Sequence, residues 1–400
     1  MRTRWFATVV TSVLVVGGPL PITAGAQSEG TTTTSGKQKS STTSTTSGSS
    51  ISTTTTTRPA GIDPAQRSRF SRIASRILAE YEIPGAVVGV FTPEGEWVLT
   101  RGYANVNAKR SVRRDDRFGV RSVSKSFTVT ALLRLVDRGD VGLDDPISQY
   151  VEGVPGGEDI SLRQLAAMTS GLPDYTDSPV VRAALGEDPT RVWTDRELID
   201  AAFVLPSKFA PGAEYSYTNV NTILLGMVVE AVTGKPFRDA LRQLVLRPLK
   251  LSDTSYAPGE PIPDPHALSY DVDPDTGETT RVDVDTSAFS TAGGITSTID
   301  DLRVWVESLA TGSLLEKSTQ SQRLAAARLA TDGPVYDRYG LGIGEIDGWW
   351  GHTGQGLGYQ AAAFHDPVDD ATIVVLVNAA PAVNVPEMVF AALARQLGRA

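Results

Sequence analysis

The sequence contains no cysteine, which excludes disulfide bonds, thiolate-held metal sites and a cysteine nucleophile. It has only three histidines, so a zinc site or a serine–histidine–aspartate triad has few candidate residues. Positive charge is scarce as well, with 37 lysines and arginines against 46 acidic residues and a formal net charge of −9. We therefore expect no nucleic-acid partner, because no basic surplus is available to neutralise phosphates. We also expect neither a metal nor a cofactor.

Long apolar runs are rare, and the longest lies at the N-terminus. Arg2 and Arg4 precede an apolar stretch over residues 5–20, and the small residues Ala24-Gly25-Ala26 follow it. This pattern predicts a signal peptide over residues 1–26, with an uncleaved anchor helix as the alternative. No later stretch is apolar enough to cross a bilayer, so we expect no stable membrane insertion after cleavage. The predicted location is outside the cytoplasm, secreted or in the cell envelope.

Residues 27–58 are mostly serine and threonine and contain few apolar side chains. Such a segment cannot bury enough surface to offset its ordering entropy, so it is predicted to be a disordered linker. Residues 59–400 have an ordinary apolar content and are predicted to form one folded hydrolase domain.

The hydrophobic pattern of this domain predicts an α+β fold. Asp63 is expected to cap a helix that runs to about Tyr81, and "GAVVGVF" and "WVLTRGY" are expected to form a β-hairpin. A second helix should follow Ser122 and end at Gly139. Helical patterns dominate residues 140–280, and three strands and a last helix to Ala400 follow. Strands at both ends indicate one antiparallel sheet, flanked by helices and interrupted by a mostly helical inserted region.

The segment "RSVSKSF" places Lys125 three residues after Ser122, at the start of an apolar run. Residues i and i+3 share one face of a helix, so the amine can reach the serine hydroxyl. Burial favours the neutral form of a lysine, and a neutral amine can act as a base toward a serine nucleophile. No other of the eight lysines has a serine three positions before it.

Two further motifs could complete a serine–lysine site. "YSYTNVN" contains Tyr217 and Asn219, where a phenol could relay a proton and an amide could orient a substrate. "WWGHTGQGLGY" contains His352, Thr353 and Gly354, and a glycine in a strand would let a bound substrate approach the backbone. A buried tyrosine with a helix cap, and a glycine-rich turn between strands, are the structural alternatives.

The combined motifs are far more specific than any one of them. This set resembles the serine β-lactamase and penicillin-binding family, in the branch of class C β-lactamases and secreted serine D-Ala-D-Ala carboxypeptidases. The likeness runs from about Asp63 to the C-terminus and includes "LAAMTSGLPDYT" and "PGAEYSYTNVNTILLGMVVEAVTG". It implies the fold described above.

The resemblance also implies a role for each motif residue. Ser122 would be acylated with help from Lys125, Tyr217 would act as general base and acid, and Asn219 would hold the substrate amide. His352 and Thr353 would bind the substrate's carboxylate side, next to Gly354. The N–H groups of Ser122 and Gln355 would form the oxyanion hole.

Several substrate classes share this machinery. We favour a D-Ala-D-Ala carboxypeptidase acting on peptidoglycan peptides, with a β-lactamase or a short-chain esterase as the alternative. His352 stands where β-lactamases usually have lysine, and "GIGEID" contains no arginine to pair with a substrate carboxylate, which favours the esterase. A non-catalytic envelope module that binds cell-wall peptide is the alternative outside the enzymes.

Overall fold

A computed structural model describes residues 61–273 and 276–398. The predicted signal peptide, residues 1–26, and the predicted linker, residues 27–58, lie outside this part of the chain. Both stay predictions, as does the start of the domain at residue 59.

Nine strands form one antiparallel sheet, and they come from the two ends of the described chain. From edge to edge, numbered in chain order, the strands are β3 (Arg110–Ser111), β2 (Gly95–Asn105), β1 (Gly85–Thr92), β14 (Ala371–Val377), β13 (Tyr359–Asp366), β12 (Trp349–Gly356), β11 (Gly344–Ile346), β10 (Arg338–Tyr339) and β9 (Arg328–Leu329). β1 pairs with β14, and this pair joins the N-terminal hairpin to the C-terminal strands. The predicted antiparallel sheet built from both ends is confirmed.

Two small sheets lie in the middle of the chain. One contains β4 (Phe118–Gly119), β8 (Ile295–Ser297) and β5 (Ser255–Tyr256); the other pairs β6 (Tyr270–Val272) with β7 (Thr279–Arg281). The hydrogen bonds of β4 to β8 hold the chain just before Ser122.

The α-helices of the described residues flank the main sheet and fill the inserted region. They are α1 (Pro64–Glu80), α2 (Val123–Asp137), α3 (Leu162–Ala166), α4 (Pro179–Glu187), α5 (Asp195–Phe203), α6 (Asn219–Thr233), α7 (Phe237–Leu241), α8 (Arg247–Leu249), α9 (Ser290–Gly293), α10 (Ile299–Thr311), α11 (Lys317–Ala325) and α12 (Val385–Ala394). Within the described ranges, none of these helices has the length and apolar character needed to span a membrane.

The two central strands are buried along nearly their whole length, because helices cover both faces of the sheet. On one face, α1 and α12 pack around Phe70 and Phe390; on the other, α2 and α10 bring Phe127 and Trp305 into a stack with ring centroids 3.8 Å apart. Burial on both faces explains why β1 and β14 are unbroken apolar runs rather than alternating ones.

Local signals account for the first elements. The Asp63 side chain accepts a hydrogen bond from the Gln66 N–H at 3.1 Å, and Pro64 occupies the first helical position, so α1 begins where the sequence predicts. The hairpin of β1 and β2 and the helix after Ser122 also form as predicted. The last helix ends at Ala394, before the predicted Ala400.

The alternative that "WWGHTGQGLGY" is a glycine-rich turn between strands holds only for Leu357 and Gly358, which connect β12 to β13. β12 begins at Trp349 and continues through the earlier glycines to Gly356, and it pairs with β13 from Trp350 to Gly356. Glycines weaken the pattern that identifies a strand in sequence, but here backbone pairing with β13 holds these glycines in an extended strand.

Candidate active site

Ser122 lies at the junction between β4 and α2, immediately before the first helical residue. Arg121 precedes it with a φ of +51°, a left-handed conformation that is costly for a residue with a side chain. Serine at such a position usually caps the helix with its hydroxyl, but Ser122 makes no capping hydrogen bond. Its hydroxyl therefore remains available for chemistry.

Lys125 is fully buried beneath Ser122. Its Nζ lies 2.9 Å from the Ser122 Oγ, 2.6 Å from the Asn219 Oδ1 and 3.1 Å from the Ala292 carbonyl oxygen. Burial lowers the pKa of Lys125 to about 7, against a smaller opposing effect of the Asp174 carboxylate. A large share of Lys125 is thus a neutral amine at neutral pH, as the sequence interpretation requires.

Tyr217 ends an extended segment just before α6 and turns its ring toward Lys125, with Nζ 4.9 Å from the ring centroid. Burial raises the pKa of Tyr217 well above 10, and the Ser122 hydroxyl is near enough to lower it slightly. The Tyr217 hydroxyl forms no hydrogen bond of normal geometry with any of the described residues. In the resting site Tyr217 is therefore a protonated phenol, suited to donate a proton, and Lys125 is the available base.

Asn219 is the first residue of α6 and is held at both ends of its amide. Its Oδ1 accepts from Lys125, and its Nδ2 donates to the Asp174 Oδ2 at 3.0 Å. The same carboxylate oxygen accepts the Asn219 backbone N–H at 2.5 Å. Asn219 thus fixes the position of the Lys125 amine.

Asp174 was missed in the sequence interpretation. It lies within the quoted stretch "LAAMTSGLPDYT", but no spacing rule connects it to Ser122 or Asn219. Its other oxygen caps a short 3₁₀ turn by accepting the Thr176 N–H at 2.9 Å. This buried carboxylate binds the Asn219 amide, and its negative charge raises the pKa of Lys125.

Thr353 lies on β12 and lines the same cleft as Tyr217. Its N–H donates to the Tyr336 hydroxyl at 2.9 Å, so this N–H points away from β13. Amides two residues apart in a strand point the same way, and the Gln355 N–H therefore faces the same edge. β11 pairs with β12 from Trp349 to Gly351 and no further. The same edge of β12 therefore has no strand partner at Thr353 and Gln355, beside the site.

The structure corrects the expectation for His352. Its side chain is fully buried behind the cleft, where its ring nitrogens hydrogen-bond to the hydroxyls of Tyr336 at 3.1 Å and Tyr339 at 3.0 Å. Burial lowers the pKa of His352 to about 3, so the imidazole is neutral at physiological pH. It neither lines the cleft nor carries the positive charge expected to bind a substrate carboxylate.

The reason for Gly354 also differs from the expectation. A Cβ at this position would lie 2.1 Å from the Val120 carbonyl oxygen. Gly354 is therefore required by a close contact within the protein rather than by a bound substrate, because β12 packs against the segment that leads into Ser122. Gly354 thus lets the strand that carries Thr353 pack closely against the segment that leads into Ser122.

The assembled residues line a cleft of about 590 Å³. Ser122, Tyr217, Asn219, Thr353 and Gln355 all contribute to its surface, and Lys125 lies directly below Ser122. Within residues 61–273 and 276–398 no group of three or more acidic or histidine side chains is placed to hold a metal ion. The arrangement can supply a nucleophile, a base, a proton donor and amide N–H groups in one place.

Known proteins share this chain's sequence pattern. A family model described as Beta-lactamase matches residues 70–396. Penicillin-binding protein 4* of Bacillus subtilis is 25% identical over 256 residues, which cover 60% of this chain and 55% of that protein. Protein flp of Staphylococcus aureus is 26% identical over 251 residues, covering 60% of this chain and 48% of that protein. The chain spans about half the length of these curated relatives.

Solved structures share the fold. A D-stereospecific amidohydrolase from Streptomyces sp. is 29% identical with a TM-score of 0.71, covering 82% of this chain and 98% of that chain. D-amino acid amidase from Ochrobactrum anthropi SV3 is 24% identical with a TM-score of 0.73, covering 82% and 99%. A penicillin-binding protein from Bacillus halodurans is 24% identical with a TM-score of 0.67, covering 80% and 98%.

The motif residues, the sheet built from both ends and the family match over residues 70–396 agree. This chain belongs to the beta-lactamase family.

Proposed function

We propose that this protein is a serine hydrolase that cleaves amide or ester bonds through an acyl-enzyme on Ser122. The observation that carries the proposal is the 2.9 Å contact between the Ser122 Oγ and the Nζ of a buried Lys125 whose pKa is lowered to about 7. A hydroxyl becomes a useful nucleophile when a neutral base lies within hydrogen-bond reach.

In the acylation step the Ser122 proton passes to the Lys125 Nζ as the Oγ attacks the substrate carbonyl carbon. The oxyanion that forms would accept hydrogen bonds from the backbone N–H groups of Ser122 and Gln355. When the carbon–nitrogen or carbon–oxygen bond breaks, the leaving group takes a proton from the Tyr217 hydroxyl, which regains one from the Lys125 ammonium. Water then attacks the ester carbon and gives a proton to Lys125, the bond between this carbon and the Ser122 Oγ breaks, and Lys125 returns the proton to Oγ as the acid leaves.

The charges of the cleft bear on the choice of substrate. A D-Ala-D-Ala carboxypeptidase must bind a free carboxylate, yet His352 is neutral and buried. Arg182 is paired with Asp177 at 3.1 Å, and Arg121 is buried with its guanidinium bonded to the Leu357 carbonyl oxygen. Lys208, at the rim, donates to the Ser216 hydroxyl at 2.9 Å, beside the Asp332 carboxylate that accepts from the same hydroxyl. We therefore rank hydrolysis of amides or esters without a free carboxylate first, a reaction class consistent with the similarity to a D-stereospecific amidohydrolase.

The carboxypeptidase is the second candidate, because the curated relatives include penicillin-binding protein 4*. β-Lactam hydrolysis and short-chain ester hydrolysis would use the same residues. We further propose that residues 1–26 export the protein and that residues 27–58 tether it in the envelope. N-terminal sequencing of protein from the culture supernatant or envelope should then begin at Gln27; an intact Met1 would contradict cleavage.

The reaction is tested by labelling and by a substrate panel. A fluorophosphonate probe or a fluorescent penicillin should label the wild-type protein, and Ser122→Ala should abolish the label. Turnover of amino-acid amides, nitrocefin, short acyl esters and a D-Ala-D-Ala peptide then ranks the four activities. Unchanged labelling of Ser122→Ala would overturn the assignment of the nucleophile, and saturable peptide binding without product would favour the non-catalytic module.

A further inference from the structure

One wall of the cleft is formed by the segment after β14 and the first turn of α12. Five of its residues line the cleft, and we call them the C-terminal wall: Ala382, Val383, Asn384, Glu387 and Met388. The Gln355 side-chain amide of β12 donates to the Ala382 carbonyl oxygen at 3.3 Å, which attaches this wall to the strand that carries Thr353. A molecule bound to Ser122 and Thr353 would therefore also lie against the C-terminal wall.

Glu387 places a carboxylate in this wall without a partner. The described residues provide neither a hydrogen bond nor an ion pair to its side chain, although its backbone N–H donates to the Asn384 Oδ1 at 3.2 Å. The other acidic side chains that line the cleft are engaged: Asp174 with Asn219, Asp177 with Arg182, and Asp332 with Ser216 at 2.9 Å. Glu387 thus presents the unpartnered carboxyl group of this surface.

Helix capping does not explain the position of Glu387. It is the third residue of α12, where a glutamate or glutamine often bonds back to the capping residue. Gln164 in α3 and Glu197 in α5 occupy the same position and make this bond. In α12 the Asn384 side chain accepts the Glu387 N–H, but the Glu387 carboxylate makes no reciprocal bond and lines the cleft instead.

The surroundings of the Glu387 carboxylate are mostly apolar. Val383 is 41% exposed and Met388 38% exposed on the same wall, and Val335 is 63% exposed where it lines the cleft from another segment. The phenol of Tyr336, which is buried and neutral, is close enough to interact electrostatically with Glu387. Burial raises the pKa of Glu387 to about 7, because the charged form lacks a compensating cation. A bound ammonium group would supply that cation.

We propose that Glu387 is a specificity-determining residue that binds the protonated amine of the substrate, and that the side chains of Val383 and Met388 contact an apolar group beside that amine. The substrate class is therefore amides or esters of apolar amino acids with a free amino group. This inference rests on the proposed function, since it names what the Ser122 hydrolase acts on.

The test compares substrates that differ only in the amine. The pairs are phenylalanine amide with 3-phenylpropanamide, and phenylalanine methyl ester with methyl 3-phenylpropanoate, with both enantiomers of each amino-acid compound. The wild type should favour the amine-bearing member of each pair. Glu387→Gln should lower kcat/KM for that member by about 10- to 100-fold, mainly through KM, since a hydrogen bond to a charged group is lost. Its kcat/KM for the neutral member should stay within about 3-fold, because that member has no ammonium group for Glu387 to bind.

Glu158→Gln is the matched control, because Glu158 is an exposed glutamate away from the cleft, and it should change neither pair. Equal losses on both members in Glu387→Gln, or a wild-type preference for the neutral members, would overturn the proposal. An unchanged melting temperature of Glu387→Gln separates a binding role from a purely structural one.

Failure of the proposed function has a different signature. Binding of phenylalanine amide is measured by calorimetry on Ser122→Ala and on Ser122→Ala with Glu387→Gln. Binding that depends on Glu387, without turnover by the wild type, would contradict the hydrolase and keep the ammonium site. Turnover that requires Ser122, without dependence on Glu387, would contradict the ammonium site and keep the hydrolase.

Discussion

The protein contains two lysine–serine pairs with the same separation. The Lys125 Nζ lies 2.9 Å from the Ser122 Oγ, and the Lys208 Nζ lies 2.9 Å from the Ser216 Oγ. The second pair lies at the rim of the same cleft, where Lys208 is exposed and the Ser216 hydroxyl donates to the Asp332 carboxylate. In the first pair Lys125 is fully buried and Ser122 half-buried, and the partners of the amine are neutral.

Distance therefore does not distinguish a catalytic pair from a structural one. Lys208 is exposed to solvent, and the hydroxyl of its serine already donates to the Asp332 carboxylate, so neither group of this pair is set apart from water and a charged partner. Burial removes water from Lys125, and Asn219 and Ala292 offer only neutral oxygens in its place. The environment, rather than the pairing, makes a base.

The largest effect should separate the two serines. Ser122→Ala removes the nucleophile and should lower kcat/KM by about 10³-fold or more, as such changes do in other serine hydrolases. Ser216→Ala removes two hydrogen bonds, with Lys208 and with Asp332, but no reacting group, and should lower kcat/KM by less than about 10-fold. Steady-state kinetics on a neutral ester measures both. Comparable losses in the two variants would make the second pair part of the chemistry.

The lysines should differ in both activity and stability. Lys125→Met should lower kcat/KM by about 10²- to 10⁴-fold, because a general base is lost, whereas Lys208→Met should have a small effect. The folded pKa of Lys125 lies below its usual value of 10.5, so the unfolded chain binds more protons between pH 7 and pH 10.5. The cost of burying this lysine is thus full below pH 7 and fades as the pH rises.

Thermal unfolding checks this second part. Lys125→Met should melt several degrees above the wild type at pH 6.5, and the difference should shrink toward pH 10. A difference that is independent of pH would mean that Lys125 is equally charged in both states.

Asp174 offers a way to tune the buried pair. Its carboxylate raises the pKa of Lys125, so Asp174→Asn should lower that pKa further. Catalysis needs the neutral amine, and the acid limb of kcat/KM should accordingly lie near pH 7 in the wild type and at lower pH in the variant. The measurement is a pH profile on an uncharged substrate, with the exposed Asp159→Asn as control. A limb that moves to higher pH would contradict Lys125 as the titrating base.

The smallest effect on kcat/KM should come from substitution of His352, which, like the neutral form of Lys125, is a buried basic group without charge. Because burial holds its pKa near 3, no limb from this histidine should appear between pH 5 and pH 9. His352→Gln retains hydrogen-bonding capacity toward Tyr336 and Tyr339 and should change kcat/KM by less than about 10-fold. His352→Lys would bury an ammonium group and should lower the melting temperature. A wild-type limb near pH 6.5 that is absent from His352→Gln would contradict the neutral imidazole.

The sequence predicted the parts of the site that depend on local geometry. Ser122 and Lys125 meet because one helical turn separates them, and Asn219 stands at a helix start that its neighbours specify. Asp174 and Glu387 could not be found in the same way, because only the tertiary fold brings them to the cleft. Their residue types are common, and no spacing marks them.

The third motif shows a different limit. The letters of "HTG" indicate a basic residue and a flexible glycine, but charge and packing depend on neighbours that lie far away in sequence. Tyr336 and Tyr339 enclose His352, and the carbonyl of Val120 fills the space beside Gly354. β12 itself was obscured by its glycines, although β11 and β13 pair with it.

The closure of the sheet has a consequence for biosynthesis. Ala86 pairs with Val377, 291 residues later (377 − 86), and the strand that carries Thr353 is held between such late elements. Contacts over this separation form slowly, and they cannot form before the ribosome has made the last strand. A nascent chain that already contains Ser122, Lys125 and Tyr217 therefore lacks half of its cleft. We expect the polypeptide to stay inert toward substrates until β13 and β14 have left the ribosome and paired with β12 and β1.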